Sequence, residues 1–121
     1  MQRKGIQNVV FFGEQEGAFD EWQTDPEKCV RGQPTQRSWH QFTSDDEKFF
    51  CGTWEAEPGC WNIHYTENEY CHILVGHSIL RDSEGNEHHL RAGDQFVIPA
   101  GFAGQWDVLE TTRKIYVIYQ D

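Results

Sequence analysis

A short segment of the chain contains most of the side chains that could carry chemistry. In NIHYTENEYCHILVG, residues 62–76, an amide and an imidazole precede a turn, and a carboxylate and a thiol follow it: Asn62, His64, Glu69 and Cys71. Strand side chains alternate between faces, so Asn62 and His64 share one face. A tight turn would place His64 opposite Glu69 and the two outer side chains opposite each other. The sequence therefore predicts that all four cluster.

The cluster has two interpretations. A first-row metal in a protein usually has three or four protein ligands. His64 and Glu69 supply two, and Asn62 or Cys71 could add an amide oxygen or a thiolate. The alternative is a buried hydrogen-bonded pair in which the Glu69 carboxylate favours the charged imidazole. His64 and Glu69 are thus candidate catalytic acid–base residues or partial ligands of a divalent metal, and the cofactor stays open.

One further side chain, Trp106, could line the same pocket, and Cys71 has two possible roles there. Trp106 shares a strand face with Gly104 and Val108. If position 104 points inward, its glycine opens space that the indole of Trp106 fills, either as a ligand-binding wall or as core. Cys71 is a candidate nucleophile if His64 lowers its pKa, and otherwise is inert packing. Such a pocket suits a small polar organic ligand.

The elements that would position these residues are short strands separated by turns. From Trp39 onward we predict strands at 39–43, 49–56, 60–65, 69–82 (interrupted near Gly76), 87–91, 95–99, 104–110 and 113–120. Many short strands with regular turn signals indicate an all-β sandwich or barrel.

The N-terminal third is expected to differ from this barrel. Residues 6–12 are predicted to form a strand, and the polar segment up to residue 38 a wrapping arm laid on a partner subunit. Short helical turns are considered at 25–28 and 44–47. The predicted organisation is a strand and arm over 1–38 and a barrel over 39–121.

The amino-acid composition limits which binding partners and which cellular compartment are expected. The 121 residues fit one domain, with 37% hydrophobic and 14% aromatic residues to fill a core. A net charge of −10 argues against nucleic acid and anionic membranes as partners. No apolar run approaches the roughly 20 residues of a membrane helix. The four cysteines lack a CxxC pair, which favours free thiols in a reducing cytoplasm.

Two motifs resemble those of the cupin superfamily. Gly59, Asn62-Ile63-His64, Glu69 and Gly76 resemble the first cupin motif, and Gly93 to Gly101 (GDQFVIPAG) the second. More narrowly, four segments resemble small single-domain cupins grouped with (S)-ureidoglycine aminohydrolase and the ethanolamine-utilisation cupins: GTWEAEPG (52–59), ENEYCHIL (67–74), AGDQFVIPAGFAGQW (92–106) and RKIYVIY (113–119). The resemblance implies a double-stranded β-helix, or jelly-roll, cupin barrel of the RmlC-like type.

The match to the family's metal ligands is incomplete. The first histidine of the motif falls at Asn62, and the last falls at Gly104, so only His64 and Glu69 stand. The aminohydrolases hold their metal with a complete set, so their activity does not carry over by resemblance.

The C-terminal strand predicts a partner subunit. Ile115 and Val117 are apolar on one face, and Tyr116 and Ile118 on the other, so a second layer must cover the outside. A homodimer, the usual cupin arrangement, would supply it, with Val9–Phe12 as an exchanged strand. Lys114 and Glu110 are expected to form a surface ion pair or a link at the barrel rim.

These observations predict a small-molecule cupin with its pocket inside the barrel. Its ligand-binding residues are Asn62, Cys71 and Trp106, with His64 and Glu69 acting on a small nitrogenous or carboxylated metabolite. The alternative is a non-catalytic, metal-free binding or sensor module. Whether the chain is an enzyme is left open.

Overall fold

The computed structural model describes residues 3–12 and 18–121. Within them lie nine strands: β1 (Asp20–Gln23), β2 (Cys29–Arg31), β3 (Thr35–Thr43), β4 (Phe49–Ala56), β5 (Gly59–His64), β6 (Asn68–Asp82), β7 (Glu87–Arg91), β8 (Gln95–Ile98) and β9 (Ala103–Tyr119). All strand pairs between them are antiparallel. The prediction of an all-β fold is confirmed.

Strand β9 organises the barrel. Its C-terminal part pairs with β4, its N-terminal part pairs with β5, and β6 pairs along its other edge. The strand order is β1-β3-β4-β9-β5-β2, and β6 also pairs with β7 and β8. The sheet therefore curls around a core that includes Trp54, Trp61, Ile73, Trp106 and Val108. The two C-terminal strands expected from the sequence are one continuous strand, because no turn forms at Thr111 and Thr112.

Gly76 bends β6 without ending it. The pairing of β6 with β9 shifts register between Ile73 and His77, as at a β-bulge. Gly76 has φ +101°, and a Cβ there would lie 2.1 Å from the Thr111 carbonyl oxygen. Only glycine fits this close backbone approach. The predicted interruption is thus a bend within one long strand.

The first part of the chain differs from the prediction. Ile6–Asn8 forms a 3₁₀ turn, and residues 9–12 have no strand structure, so the strand expected over 6–12 is wrong. The considered helices are single turns, closed by bonds from Lys28 N to Asp25 O and from Glu47 N to Ser44 O, both 2.9 Å. Residues 13–17 of the predicted arm lie outside the described residues.

Part of the segment before residue 38 joins the sheet. β1 pairs with β3 and β2 pairs with β5, while β3 begins at Thr35 and crosses the predicted boundary. The division of the chain at residue 38 stays a prediction. Among the described residues, no helix is long and apolar enough to cross a membrane.

Candidate functional site

A pocket of about 240 Å³ lies inside the barrel. Six aromatic side chains line it: Trp22, Trp54, Trp61, Tyr65, Trp106 and Tyr116. Two charged side chains, Glu69 and Lys114, also border the pocket. An apolar, aromatic cavity with a few polar groups is the usual form of a small-molecule site.

The charged pair is buried and tightly associated. Lys114 Nζ lies 2.7 Å from Glu69 Oε2, and the two residues are only 5% and 6% exposed. The ammonium also lies 4.7 Å and 4.4 Å from the ring centroids of Trp54 and Trp106, within cation–π range. Burial alone lowers a lysine pKa, but attraction to Glu69 outweighs it, so the pKa of Lys114 is raised. Lys114 is therefore an ammonium at neutral pH.

Two neutral groups flank this pair. The Cys71 thiol donates to Glu69 Oε2 at 3.2 Å, and Lys114 Nζ donates to Cys71 Sγ at 3.6 Å. Burial raises the pKa of Cys71 to about 12, and the nearby Lys114 only partly offsets this. Burial likewise raises the pKa of Tyr65. The condition for Cys71 as a nucleophile, a lowered pKa, is not met, and inert packing is the better interpretation.

Hydrogen bonds hold two of the tryptophans in place. Trp106 Nε1 donates to Ser78 Oγ at 3.2 Å, and Ser78 Oγ lies 2.6 Å from Thr112 Oγ1. Trp54 Nε1 donates to Gln36 Oε1 at 3.0 Å. Because the indole N–H groups of Trp54 and Trp106 both have partners, the two rings that enclose Lys114 are fixed rather than free to rotate.

The predicted cluster of four side chains does not form. β5 pairs with β9 and β2 rather than with β6, so Trp61 lies opposite Trp106 and Ile63 opposite Gly104. Burying the large apolar side chains of β5 turns the alternate residues outward, and Asn62 is exposed. Of the predicted site residues, Glu69, Cys71 and Trp106 face the interior together, whereas Asn62 and His64 do not join them.

His64 lies at the rim of the barrel instead. Its side chain is exposed, although it borders a separate cavity of about 260 Å³ with Glu69. The expected buried His64–Glu69 pair is wrong, because Lys114 takes the place of the imidazole. Asn62 lies on the outer face, where its Oδ1 accepts from Gln105 Nε2 at 3.4 Å. The chemical roles assigned to His64, Glu69 and Asn62 stay predictions.

The residues present do not fit a divalent metal in the barrel. Among the residues with described placement, no group of three or more His, Cys, Asp and Glu side chains could hold one. The Lys114 ammonium occupies Glu69 and has no lone pair to offer a metal. A Cβ at Gly104 would lie 1.9 Å from the Arg81 carbonyl oxygen, so a metal-ligating side chain does not fit at this position. The expected open space at Gly104 is therefore wrong, since the β6 backbone fills it.

The prediction missed the residue that matters most in this geometry. Lys114 was expected at the rim or surface with Glu110, and it is instead the buried partner of Glu69. Strand alternation could have indicated that Lys114 faces the interior, because it shares a face with Tyr116 and Ile118. Trp54, paired with Lys114 in the β4–β9 register, was missed for the same reason.

Fold and pocket together define a cupin barrel. More narrowly, residues 43–116 match the model of the EutQ-like cupin domain, and the chain belongs to this family. The expected cupin resemblance is confirmed. The structural neighbours include proteins whose function is unknown, and no specific activity is established for this cupin domain. No curated protein matches the chain significantly.

Three solved structures illustrate the similarity. The Clostridium difficile EutQ protein is 22% identical, with a TM-score of 0.65, over 72% of this chain and 69% of that one. A Pseudomonas syringae DUF861 protein of unknown function is 19% identical, with a TM-score of 0.77, over 87% of this chain. The match spans only 46% of that protein's length. A Thermotoga maritima DUF861 protein is 34% identical, with a TM-score of 0.52, over 53% of this chain and 73% of that one.

Proposed function

We propose that the barrel binds a small organic molecule between its tryptophan walls, with the Lys114–Glu69 pair as polar anchor. The observation that carries this proposal is the buried ion pair beside an aromatic pocket. Removing two charges from water costs several kcal/mol per ion, and apolar residues of similar volume often stabilise a core better. A pair in this position is therefore better explained by recognition than by stability.

The donors of Lys114 indicate which ligand group would meet the anchor. An ammonium has three N–H donors, and two of them contact Glu69 Oε2 and Cys71 Sγ. A third donor is left for an acceptor oxygen of a ligand. The two indoles already hold the Lys114 cation, which disfavours a cationic ligand. A carbonyl or carboxylate group on a body flat enough to pack against aromatic rings fits best.

Binding without catalysis is the favoured form of this function. Raised pKa values keep Lys114, Cys71 and Tyr65 protonated at neutral pH, so none of them is a ready base or nucleophile. An enzyme acting on a small nitrogenous or carboxylated metabolite through His64 and Glu69 is the alternative. No fitting metal-ligand set is found in the interior among the residues that the structure describes, which argues against aminohydrolase activity.

A ligand search with paired variants tests the proposal. Native mass spectrometry of tag-free protein, followed by thermal shift with small carboxylates and amides, should find a ligand. The double variant Lys114→Met/Glu69→Gln should lose it. The pair is changed together because Lys114→Met alone would strand a buried carboxylate, at about 3–5 kcal/mol. The exposed Lys48→Met is the matched control. Equal ligand binding by the double variant and the wild type would refute the proposal.

We also propose that the chain is a homodimer. One row of outward-facing residues crosses five strands in register, from Val97 through Tyr70, Val117 and Cys51 to Phe42. Its two ends are exposed, Val97 by 63% and Phe42 by 40%, whereas Cys51 is only 7% exposed. A second copy covering this row would bury the exposed apolar surface at its ends, which is otherwise left in water.

The free cysteines and the net charge support two further proposals, on the cellular compartment and on the class of ligand. The four cysteines are free thiols, which supports a reducing cytoplasm. The net charge of −10 supports a small-molecule ligand over nucleic acid or an anionic membrane.

A further inference from the structure

Two histidines meet on the outside of the β6–β7 hairpin, away from the barrel pocket. His77 Nε2 lies 2.7 Å from His89 Nδ1, and the ring centroids are 4.9 Å apart. Their neighbours Ser78 and Leu90 are buried, which places the two imidazoles on the outer face. At this separation the two nitrogens share a hydrogen bond, so one of them is unprotonated and directs its lone pair at the other.

We propose that His77 and His89 bind a divalent transition-metal ion such as Ni²⁺, Zn²⁺ or Cu²⁺. Imidazole nitrogens lie about 2.0–2.1 Å from such an ion, so two of them on adjacent coordination positions are about 3 Å apart. A shift of a few tenths of an ångström reaches that spacing from the 2.7 Å pair, and both rings must also turn so that their lone pairs point at the ion rather than along the line between the nitrogens. The bridging N–H need only move to the other nitrogen of the same ring, so both facing nitrogens become acceptors with no net loss of a proton.

The backbone holds this pair in place. In the hairpin, Ile79 lies opposite His89 and Arg91 lies opposite His77. The turn is fixed by Asp82, whose Oδ1 accepts from the backbone N–H groups of Glu84 and Asn86, both at 2.9 Å. Two ligands on paired strands of a rigid hairpin lose little freedom on binding an ion.

Charges of both signs surround the histidine pair. Glu87 Oε1 lies 4.0 Å from His89 Nε2, the nitrogen that faces away from His77, and Glu87 Oε2 is paired with Arg81 Nε at 2.9 Å. Arg91, which lies opposite His77 in the β6–β7 register, adds a positive charge that opposes binding. Water completes the coordination sphere, and nitrogen ligands select borderline metals over Mg²⁺ or Ca²⁺.

Calorimetric titration of tag-free protein with NiCl₂ at pH 7.5 tests the site, with MgCl₂ as reference ion. The wild type should bind Ni²⁺ and not Mg²⁺. His89→Gln and His77→Gln should each weaken Ni²⁺ binding about tenfold or more. His88→Gln is the matched control, because it changes an adjacent exposed imidazole, and it should bind as the wild type does.

Three results would overturn the site. They are no Ni²⁺ binding by the wild type, unchanged binding by His89→Gln with folding confirmed by circular dichroism, and binding lost in Glu69→Gln instead. The last would move the metal to the barrel interior. None of these results depends on the ligand of the aromatic pocket.

Discussion

At the level of single residues, chemistry in this barrel depends on which side chains share a face. Glu69, Cys71 and Trp106 were correctly placed inside because each belongs to a strand with clear alternation. Asn62 and His64 were misplaced because pattern alone cannot distinguish the two faces of β5, where Trp61 and Ile63 compete for the interior. Burial of the larger aromatic surface decides that competition.

The neutral, buried state of Cys71 has a measurable consequence. Only the thiolate reacts with iodoacetamide, and burial has raised the pKa of Cys71 from 9.0 to about 12. We expect Cys29, which is partly exposed, to be alkylated at pH 8 in the native protein, whereas Cys71 reacts only after unfolding. Peptide mass spectrometry over time would measure both rates.

Alkylation in guanidinium chloride provides the control, since all four cysteines should then react. Native Cys71 labelled as fast as Cys29 would contradict the expected protection.

The raised pKa of Cys71 also has a consequence for stability, because folding keeps its thiol protonated. Its contribution to stability is complete below about pH 9 and is lost as the pH rises towards 12.

At the level of elements, strand positions could be predicted far better than strand partners. The bounds of β4 and β7 agree with the prediction, because turn residues mark their ends. The assumed β5–β6 hairpin is wrong, because β5 joins β9, a strand distant in sequence. Local turn signals carry no information about such pairing, which depends on how the whole sheet closes. The wrong strand at 6–12 has a related cause, since none of the nine described strands pairs with this segment.

Gly76 offers a test of the bend in β6. Gly76→Ala would combine an unfavourable φ of +101° with a Cβ only 2.1 Å from the Thr111 carbonyl oxygen. Gly85→Ala is the matched control, because φ is +87° there and nothing lies within 4 Å of the added atom. We expect a loss of about 1 kcal/mol in free energy of unfolding for the control and about 2–4 kcal/mol for Gly76→Ala. Denaturant titration measures both, and equal losses would contradict the close contact.

At the level of the whole molecule, the outer sheet face matters as much as the pocket. The interior is closed by β9 and its partners, whereas the row from Val97 to Phe42 is exposed at its two ends and buried at Cys51. The sequence indicated this need for a second layer through the two apolar faces of β9. It could not show that the row continues across five strands, because that continuity depends on long-range register.

The dimer can be tested by light scattering after size-exclusion chromatography. The wild type should elute with twice the chain mass of 14.2 kDa, and Val97→Lys should be a monomer. Val30→Lys, which changes an exposed valine on β2 at another edge, should remain dimeric. A wild type that stays monomeric at micromolar concentration would contradict the proposed interface.

The indole rings around Lys114 have a spectroscopic consequence. Trp54 and Trp106 each lie within 5 Å of a fixed positive charge and largely away from water. Indole emission responds to the local electric field, so any molecule that reaches the ammonium would change the colour or intensity of the protein's own fluorescence. The barrel thus contains a built-in optical reporter of its occupancy, readable without dye or label.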